Sequence, residues 1–472
     1  MHVIGERNNY VRLFDAINRM EEYDEERLRE EFRGEKFIEH LSSEKVHLSR
    51  LILRSLRAFR DGNTITRQLT TLIEEAEILT EKRLFAQAMK ILRKVEKSAW
   101  EYEDFPILLR LLNLCRLHIH DMQSTQVQER IREVVEKTDE VLARLRNQME
   151  FQNLYDTVFT YARMNLTDNY HAVAGIFNNE LLDNEDCALS FEARLRFNSV
   201  HAIRCQMQGD YDGNFAYRKR IIELWKEHPH RLKEEPLRFI RASSNFVNSC
   251  IHLKRYNEFP AVIESLRSLT NVTPHVDTEL GQNIYYLELL YILNTGQLDR
   301  GLALAPEIAQ WIGTHADKIN RARLIALYYN LAIIHFLAAQ YNEALDWLYR
   351  ILNDGKTDSR QDIQCFIRLL LPIVHFELEH YDLLESKYRS AHYYLNQRQK
   401  YGPVEKAVLD FLRKLAGHAN DMEFTQSCAD LKRTLEYLQT EEPQAVRTFG
   451  LQELAYWLES KITGRPIAEM VG

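Results

Sequence analysis

The stretch Tyr328-Tyr-Asn-Leu-Ala-Ile-Ile-His-Phe-Leu-Ala-Ala-Gln-Tyr-Asn-Glu-Ala-Leu-Asp-Trp-Leu-Tyr-Arg-Ile-Leu352 reads as a helix, a short turn and a second helix. Tyr341 opens the second helix, and Ala344 stands where the two would cross most closely. A small residue is needed there, because packed helix axes lie about 8–10 Å apart and a large side chain would wedge them open. The phrase returns along the chain. Aromatic or bulky residues recur at Phe85, about Val127, Tyr170, Tyr211, Tyr256, Leu298, Tyr341, Tyr381 and Phe424, spaced by about 40 to 45 residues. A period of that size marks a solenoid, in which each repeat is a helix pair that cannot bury its apolar face alone.

The copies differ in quality. Ala76, Phe85, Ala88 and Leu92 keep the order, as do Ala202 with Gly209-Asp-Tyr211, and Gly296-Gln-Leu298 makes a similar corner. Tyr256 and Tyr381 are followed by Phe259 and Leu384 in place of the crossing alanine, which predicts splayed pairs. Near 127 and 170 the phrase is degenerate.

Leu331-Ala332, Tyr341, Ala344 and Leu348 together resemble the tetratricopeptide repeat: a leucine–small pair, an aromatic, a small crossing residue and an apolar residue one turn later. Gly209-Asp-Tyr211 is close to that family's consensus corner, and the resemblance covers roughly residues 65–440. The usual period of the family is about 34 residues, so each helix here is expected to be one turn longer, or the connections longer. HEAT-type repeats have periods of about 40–47 residues, but the small–aromatic–alanine order favours the tetratricopeptide side. Similar long-helix repeats occur in bacterial peptide-sensing regulators. The resemblance implies an all-α, right-handed superhelical α-solenoid of about nine antiparallel helix pairs, with the first helices lining a concave groove.

Composition agrees with helices. In 472 residues there are only 16 glycines and 10 prolines, and 45% of residues are hydrophobic. No stretch alternates as a strand would. A net charge of −8 argues against a global nucleic-acid binder. The six cysteines are scattered with no Cys-x-x-Cys pair, which reads as a reducing compartment. The start lacks the basic and apolar regions of a signal peptide. The most apolar run, Leu324 to Ala339, is too short to span a bilayer and is interrupted by Asn330 and His335. A cytoplasmic protein with no membrane partner is expected.

Three segments are expected: a helical cap over 1–62, the repeat array over 63–440, and a capping helix with a tail over 441–472. In the first, Tyr23 to Phe32 reads as an acidic helix, and Ser42 as the N-cap of a helix running to about Arg60 and ended by Asp61-Gly62-Asn63. In the last, Glu441-Glu-Pro443 precedes an amphipathic helix from Phe449 to Ile462.

Chemistry is sparsely written. There is no glycine-rich phosphate loop, no Gly-x-Ser-x-Gly and no His-Glu-x-x-His, so no catalytic residue and no cofactor or metal ligand is expected. His118-Ile-His120-Asp121 looks like a metal cluster, but residues two apart on a helix point to different faces. His335 and His375 each stand six positions before a tyrosine, where core packing suits them better than a pairing across the groove. Arg50, Arg54, Arg57 and Arg60 form a basic stripe suited to phosphate or an acidic partner, unless the acid run of the preceding helix neutralises it.

The groove positions carry more. Aligned on Tyr211 and Tyr256, the inward residues of the first helices are Arg196, Ser199 and Gln206, then Arg241, Ser244, Asn245 and Asn248. Arginine supplies bidentate donors and asparagine amides can bond a peptide backbone. This set resembles the clamp with which some tetratricopeptide domains hold a peptide's C-terminal carboxylate, although that clamp prefers lysine at the place of Arg241 and sits in terminal repeats. Farther along, the corresponding positions become Tyr286, Tyr329, Phe336, Phe366 and Phe376, which predicts an aromatic half beside a polar half. The expected function is a non-catalytic scaffold or adaptor that binds a protein or peptide in the groove, with self-association left open. The alternatives are a peptide-sensing regulator coupled to the N-terminal helices and, as a third reading, an enzyme on a helical solenoid.

Overall fold

The computed structural model describes residues 9–20, 22–60, 64–119, 124–163, 174–270, 272–353, 359–398, 402–416, 421–441 and 450–471, without the side chains of 57–60, 118, 124–126, 416, 421–422 and 441. Among these residues the fold is all-α: every regular element is helical, and helices consecutive in sequence pack on one another, as in a solenoid. The chain forms two compact units, Met1–Met149 and Glu150–Gly472.

The first unit holds α1 (Asn9–Asn18), α2 (Glu25–Glu31), α3 (Leu41–Arg60), α4 (Ile65–Glu81), α5 (Phe85–Glu101), α6 (Phe105–Ile119) and the start of α7 (Ser124–Arg163). The acidic helix is α2, and the Asp24 carboxylate caps it by accepting from the backbone amides of Glu26 and Arg27. Ser42 lies inside α3 instead of capping it, because a 3-10 turn, Lys36–His40, leads directly into Leu41. Among the described side chains, Glu25 of the acid run pairs with Arg29 and Lys45 and Glu31 with Arg19, while Glu35, beyond the run, pairs with Arg12. Arg50 and Arg54 are exposed on α3, while the Arg57 and Arg60 side chains and the whole of Asp61-Gly62-Asn63 lie outside the described residues.

The second unit continues with α8 (Phe191–Gln208), α9 (Tyr211–Glu227), α10 (Pro229–Glu234), α11 (Pro236–His252), α12 (Phe259–Arg267), α13 (Pro274–Thr295), α14 (Leu298–His315), α15 (Arg321–Leu337), α16 (Tyr341–Leu352), α17 (Gln361–Glu377), α18 (Tyr381–Gln397), α19 (Pro403–Ala416), α20 (Asp421–Glu441) and α21 (Leu451–Thr463). Pairs such as α8–α9, α15–α16 and α17–α18 begin their second helix at the marked residue, and a helix of about 17 residues is typical, so the long period lies in the helices themselves.

The repeat is most exact in its backbone. At six corners the residue two before the marker is left-handed: Arg83, Gly209, Lys254, Gly296, Ala339 and Glu379 have φ between 54° and 72°. At each, the next backbone amide donates to the carbonyl five residues back, from Leu84 to Leu79, Asp210 to Cys205, Arg255 to Cys250, Gln297 to Ile292, Gln340 to His335 and His380 to His375, at 2.8–3.1 Å. This is a Schellman closure, which satisfies carbonyls that the helix end would otherwise leave open. His335 and His375 are therefore the residues whose carbonyls close their corners. They do not pair with one another: His335 bonds Gln340, and the buried His375 bonds the Tyr349 hydroxyl and His380.

Packing concentrates at the crossing. Ala88 and Ala344 are wholly buried, as are Leu92 and Leu348 one turn on, whereas the marker tyrosines Tyr211 and Tyr381 are nearly half exposed. Phe259 and Leu384 are buried at their own crossings, so the larger side chains are accommodated there. Pro260 moves the helix start to Phe259, and Tyr256 opens a 3-10 turn, Tyr256–Glu258, instead of a helix.

Within Ser124–Arg163 the regular pairing is interrupted: the predicted copy near 127 gives way to the 40-residue helix α7. The copy predicted near 170 lies outside the described residues, and 3-10 turns follow at Ala174–Asn178, Glu180–Leu182 and Glu185–Cys187. Ser124 to Arg163 contains no glycine or proline, so nothing local ends the helix at the expected turn. Tyr170 lies outside the described residues. No helix among the described residues is long and apolar enough to cross a membrane.

Candidate functional site

A cavity of about 1100 Å³ opens within the second unit along the first helices α8, α11, α13 and α15. It is walled in addition by the last turns of α7 and by α9. Seven of the twelve groove residues chosen from sequence line it: Arg196, Ser199, Arg241, Ser244, Asn245, Asn248 and Tyr286. The other five do not, and three of them, Phe336, Phe366 and Phe376, lie in or against the core. Gln206 is exposed at the end of α8, where its carbonyl takes part in the Gly209 corner. Tyr329 is fully buried, and its hydroxyl donates to Glu453 of α21 at 3.1 Å.

The helix starts that bring these residues together are well determined. Thr273 caps α13 by accepting from the Val276 amide, and Asn320 caps α15 by accepting from Ala322 and Arg323. The Asn320 amide in turn donates to Gln282, a buried side chain of α13, at 3.2 Å. Asn283 then links three helices. Its Oδ1 accepts from the Ser244 hydroxyl of α11 and from the Arg323 guanidinium of α15, both at 3.1 Å, while its Nδ2 donates to the Glu279 carbonyl at 2.7 Å. A satisfied network of this kind fixes the separation of neighbouring repeats along the cavity wall.

The sequence reading missed Asn283, Arg218, Arg238 and Arg323. One signal was present: Asn283 stands fifteen residues before Leu298, as Arg196 and Arg241 stand fifteen before Tyr211 and Tyr256. Arg218 carries no such signal, since it belongs to a second helix.

Six arginines line the cavity, and they fall into two groups. Arg196 and Arg238 share Glu192, at 2.8 and 2.6 Å, and Arg238 also meets Glu235. Arg196 further donates to Gln152 at 2.7 Å and lies over the Tyr155 ring, and Arg360 pairs with Asp362 at 2.8 Å. By contrast, Arg218, Arg241 and Arg323 make no ion pair with a carboxylate among the described residues. Arg241 is exposed and donates to the Leu237 carbonyl; Arg323 lies 3.9 Å over the Tyr286 ring. Burial pushes the Arg218 and Arg323 pKa values down, the direction expected for a cation taken from water without a full counter-charge. Glu279 is the one carboxylate among the lining residues.

Apart from Tyr286, which lines the cavity, the aromatic half predicted beside this polar half is closed. Phe336 and Phe366 are core residues with Tyr329, because α21 packs back over the inward positions of α15 and α17. Trp457 is fully buried and donates to Glu377 at 2.7 Å, Lys461 pairs with the same carboxylate at 2.6 Å, and Gly450 sits so near Phe366 that a Cβ there would overlap the ring. The helix predicted from Phe449 begins at Leu451, and Phe449 itself lies outside the described residues.

Among the described residues no three histidine, cysteine or acidic side chains are placed to hold a metal ion. Of the His118-Ile-His120-Asp121 motif, the His118 side chain, His120 and Asp121 are outside the described set. None of the known family models, curated protein sequences or solved structures matches this chain.

Proposed function

We propose that this chain is a non-catalytic binding scaffold or adaptor of the tetratricopeptide-like kind, which takes a protein or peptide in the cavity along α8, α11, α13 and α15. The observation that carries the reading is convergence: six of the seven polar residues selected by repeat position alone, all but Gln206, line one continuous space. Its chemistry suits capture rather than turnover. The wall offers guanidinium and amide groups, and Asn245 and Asn248 are exposed with no side-chain hydrogen bond among the described residues. Free amides of this kind supply both a donor and an acceptor to a peptide backbone.

Affinity purification from the native cell, followed by identification of what co-elutes, tests the reading when run on wild type, Arg241→Ala and Asn248→Ala. Both residues are exposed, so each variant is expected to keep its stability within about 0.5 kcal/mol and to lose the partner. Retention of the partner by both variants removes the cavity as its site.

A further inference from the structure

We propose that the occupant of this cavity is an extended acidic peptide, whose carboxylates are taken by Arg218 and Arg241 toward one end and by Arg323 toward the other. The inference rests on the scaffold reading and adds the chemistry of the ligand.

The charge balance is the first argument. In a chain of net charge −8, the cavity gathers six arginines against one lining carboxylate, Glu279. Three of the six are neutralised by the protein's own acids. Arg218, Arg241 and Arg323 are not, and Arg218 and Arg323 are only partly open to solvent. A partly desolvated guanidinium without a carboxylate gains most from an anion that arrives with a ligand, because charge-assisted hydrogen bonds are about twice as strong as neutral ones.

Placement is the second. Arg241 stands on α11 and Arg323 on α15, with α13 packed between them. Arg241 and Arg323 thus reach the cavity from helices on either side of α13, and Asn283 of α13 ties the two walls by accepting from Ser244, one turn from Arg241, and from Arg323. An extended peptide laid across the three helices advances roughly 3.3 Å per residue and meets both guanidinium groups, and the exposed amides of Asn245 and Asn248 stand on α11 with Arg241.

The third argument separates peptide from nucleic acid. A single strand of nucleic acid binds through open aromatic platforms on which bases stack. Here the Tyr286 ring already carries Arg323 at 3.9 Å and the Tyr155 ring carries another guanidinium at 4.5 Å, while Phe159 stacks on Tyr155 at 5.5 Å and has the Arg163 guanidinium 5.8 Å from its ring. The molecule also contains its own example of an acid on the inward face, where Tyr329 holds Glu453 of the C-terminal helix at 3.1 Å.

The test is selection of terminally blocked, randomised peptides on the full-length protein, followed by fluorescence-anisotropy titration of the winners. The expected pool is enriched in aspartate and glutamate at more than one position. Arg218→Gln and Arg323→Gln should each weaken the selected peptide about tenfold, and replacing the peptide's acids by their amides should do the same on unaltered protein, which keeps the test independent of how the variants fold. A neutral or basic pool, an empty pool, affinity indifferent to both arginines, or displacement by a tighter-binding single-stranded oligonucleotide overturns the proposal. If partner capture still depends on Arg241 and Asn248 while the pool is neutral, the scaffold reading stands and the acidic ligand falls. If neither depends on them, both fall.

Discussion

The inward face of the second unit is used in two ways. Along α8, α11 and α13 it presents Arg196, Arg241 and Asn283 to a cavity. On α17 the same position carries Phe366, and one turn beyond it on α15 stands Tyr329; the C-terminal helix α21 and the turn leading into it cover both. A repeat position thus does not determine whether a residue binds or packs. What decides is whether another part of the chain arrives to cover it. An uncovered position can hold charge in water, whereas a covered one must be apolar or have a partner, as Tyr329 has in Glu453.

The sharpest test of that contrast is to weaken the cover. Trp457 is wholly buried in the closed half, between α21 and the inward face. Trp457→Ala is expected to cost about 3–5 kcal/mol, as aromatic truncations in cores do, while the exposed Arg241→Ala in the open half stays within about 0.5 kcal/mol. Chemical denaturation of the two variants side by side reads the difference. Similar midpoints for both would mean that α21 is loosely held and the closed half is not closed.

A second difference is electrostatic. His375 in the closed half is 2% exposed and is faced by His380, the Tyr349 hydroxyl, Lys387 and Asp382. Burial pushes its pKa down to about 4, helped by Lys387 and His380 and opposed by Asp382. The unfolded chain takes up this proton near the ordinary histidine value of about 6.5, so the folded state binds fewer protons between those two pH values. Stability from this site is complete above about pH 6.5 and is lost as pH falls toward 4, by up to about 3 kcal/mol. His201, in the open half, is shifted in the same direction by burial. Thermal melts across that pH range, on wild type and His375→Gln, are expected to converge as pH falls; parallel curves would remove His375 from the balance.

Much of this was legible in the sequence, for a physical reason. Ala344 and Ala88 must be small because helices cross there, and that demand repeats with the fold, so it betrays the period and, by offset, Arg196 and Arg241. Asn283 obeys the same offset, fifteen residues before Leu298, but carries no charge to mark it beside Arg196 and Arg241. The closure by α21 was not legible. It brings Glu453 to Tyr329 and Trp457 to Glu377, contacts between residues far apart in the chain that leave no local periodic trace. Nor was the fusion into α7, where the sign of a missing turn is only that no breaker is present.

The corners show that the two halves share one backbone even where their side chains diverge, and they give the smallest and most exact test. Gly209 in the open half and Ala339 in the closed half both stand two residues before the marker, with φ of 72° and 56°. Glycine takes this conformation without penalty, whereas alanine suffers a clash between its Cβ and the backbone. Nothing lies within 4 Å of the site a Cβ would occupy at Gly209, so Gly209→Ala measures backbone strain alone. It is expected to cost about 1 kcal/mol, and Ala339→Gly to gain about the same. Equal and opposite shifts in denaturation midpoint would establish that one corner geometry is built twice from different residues. A loss from Ala339→Gly would mean that the Ala339 methyl contributes packing that the Gly209 corner does without, and the equivalence of the two halves would end at the turn.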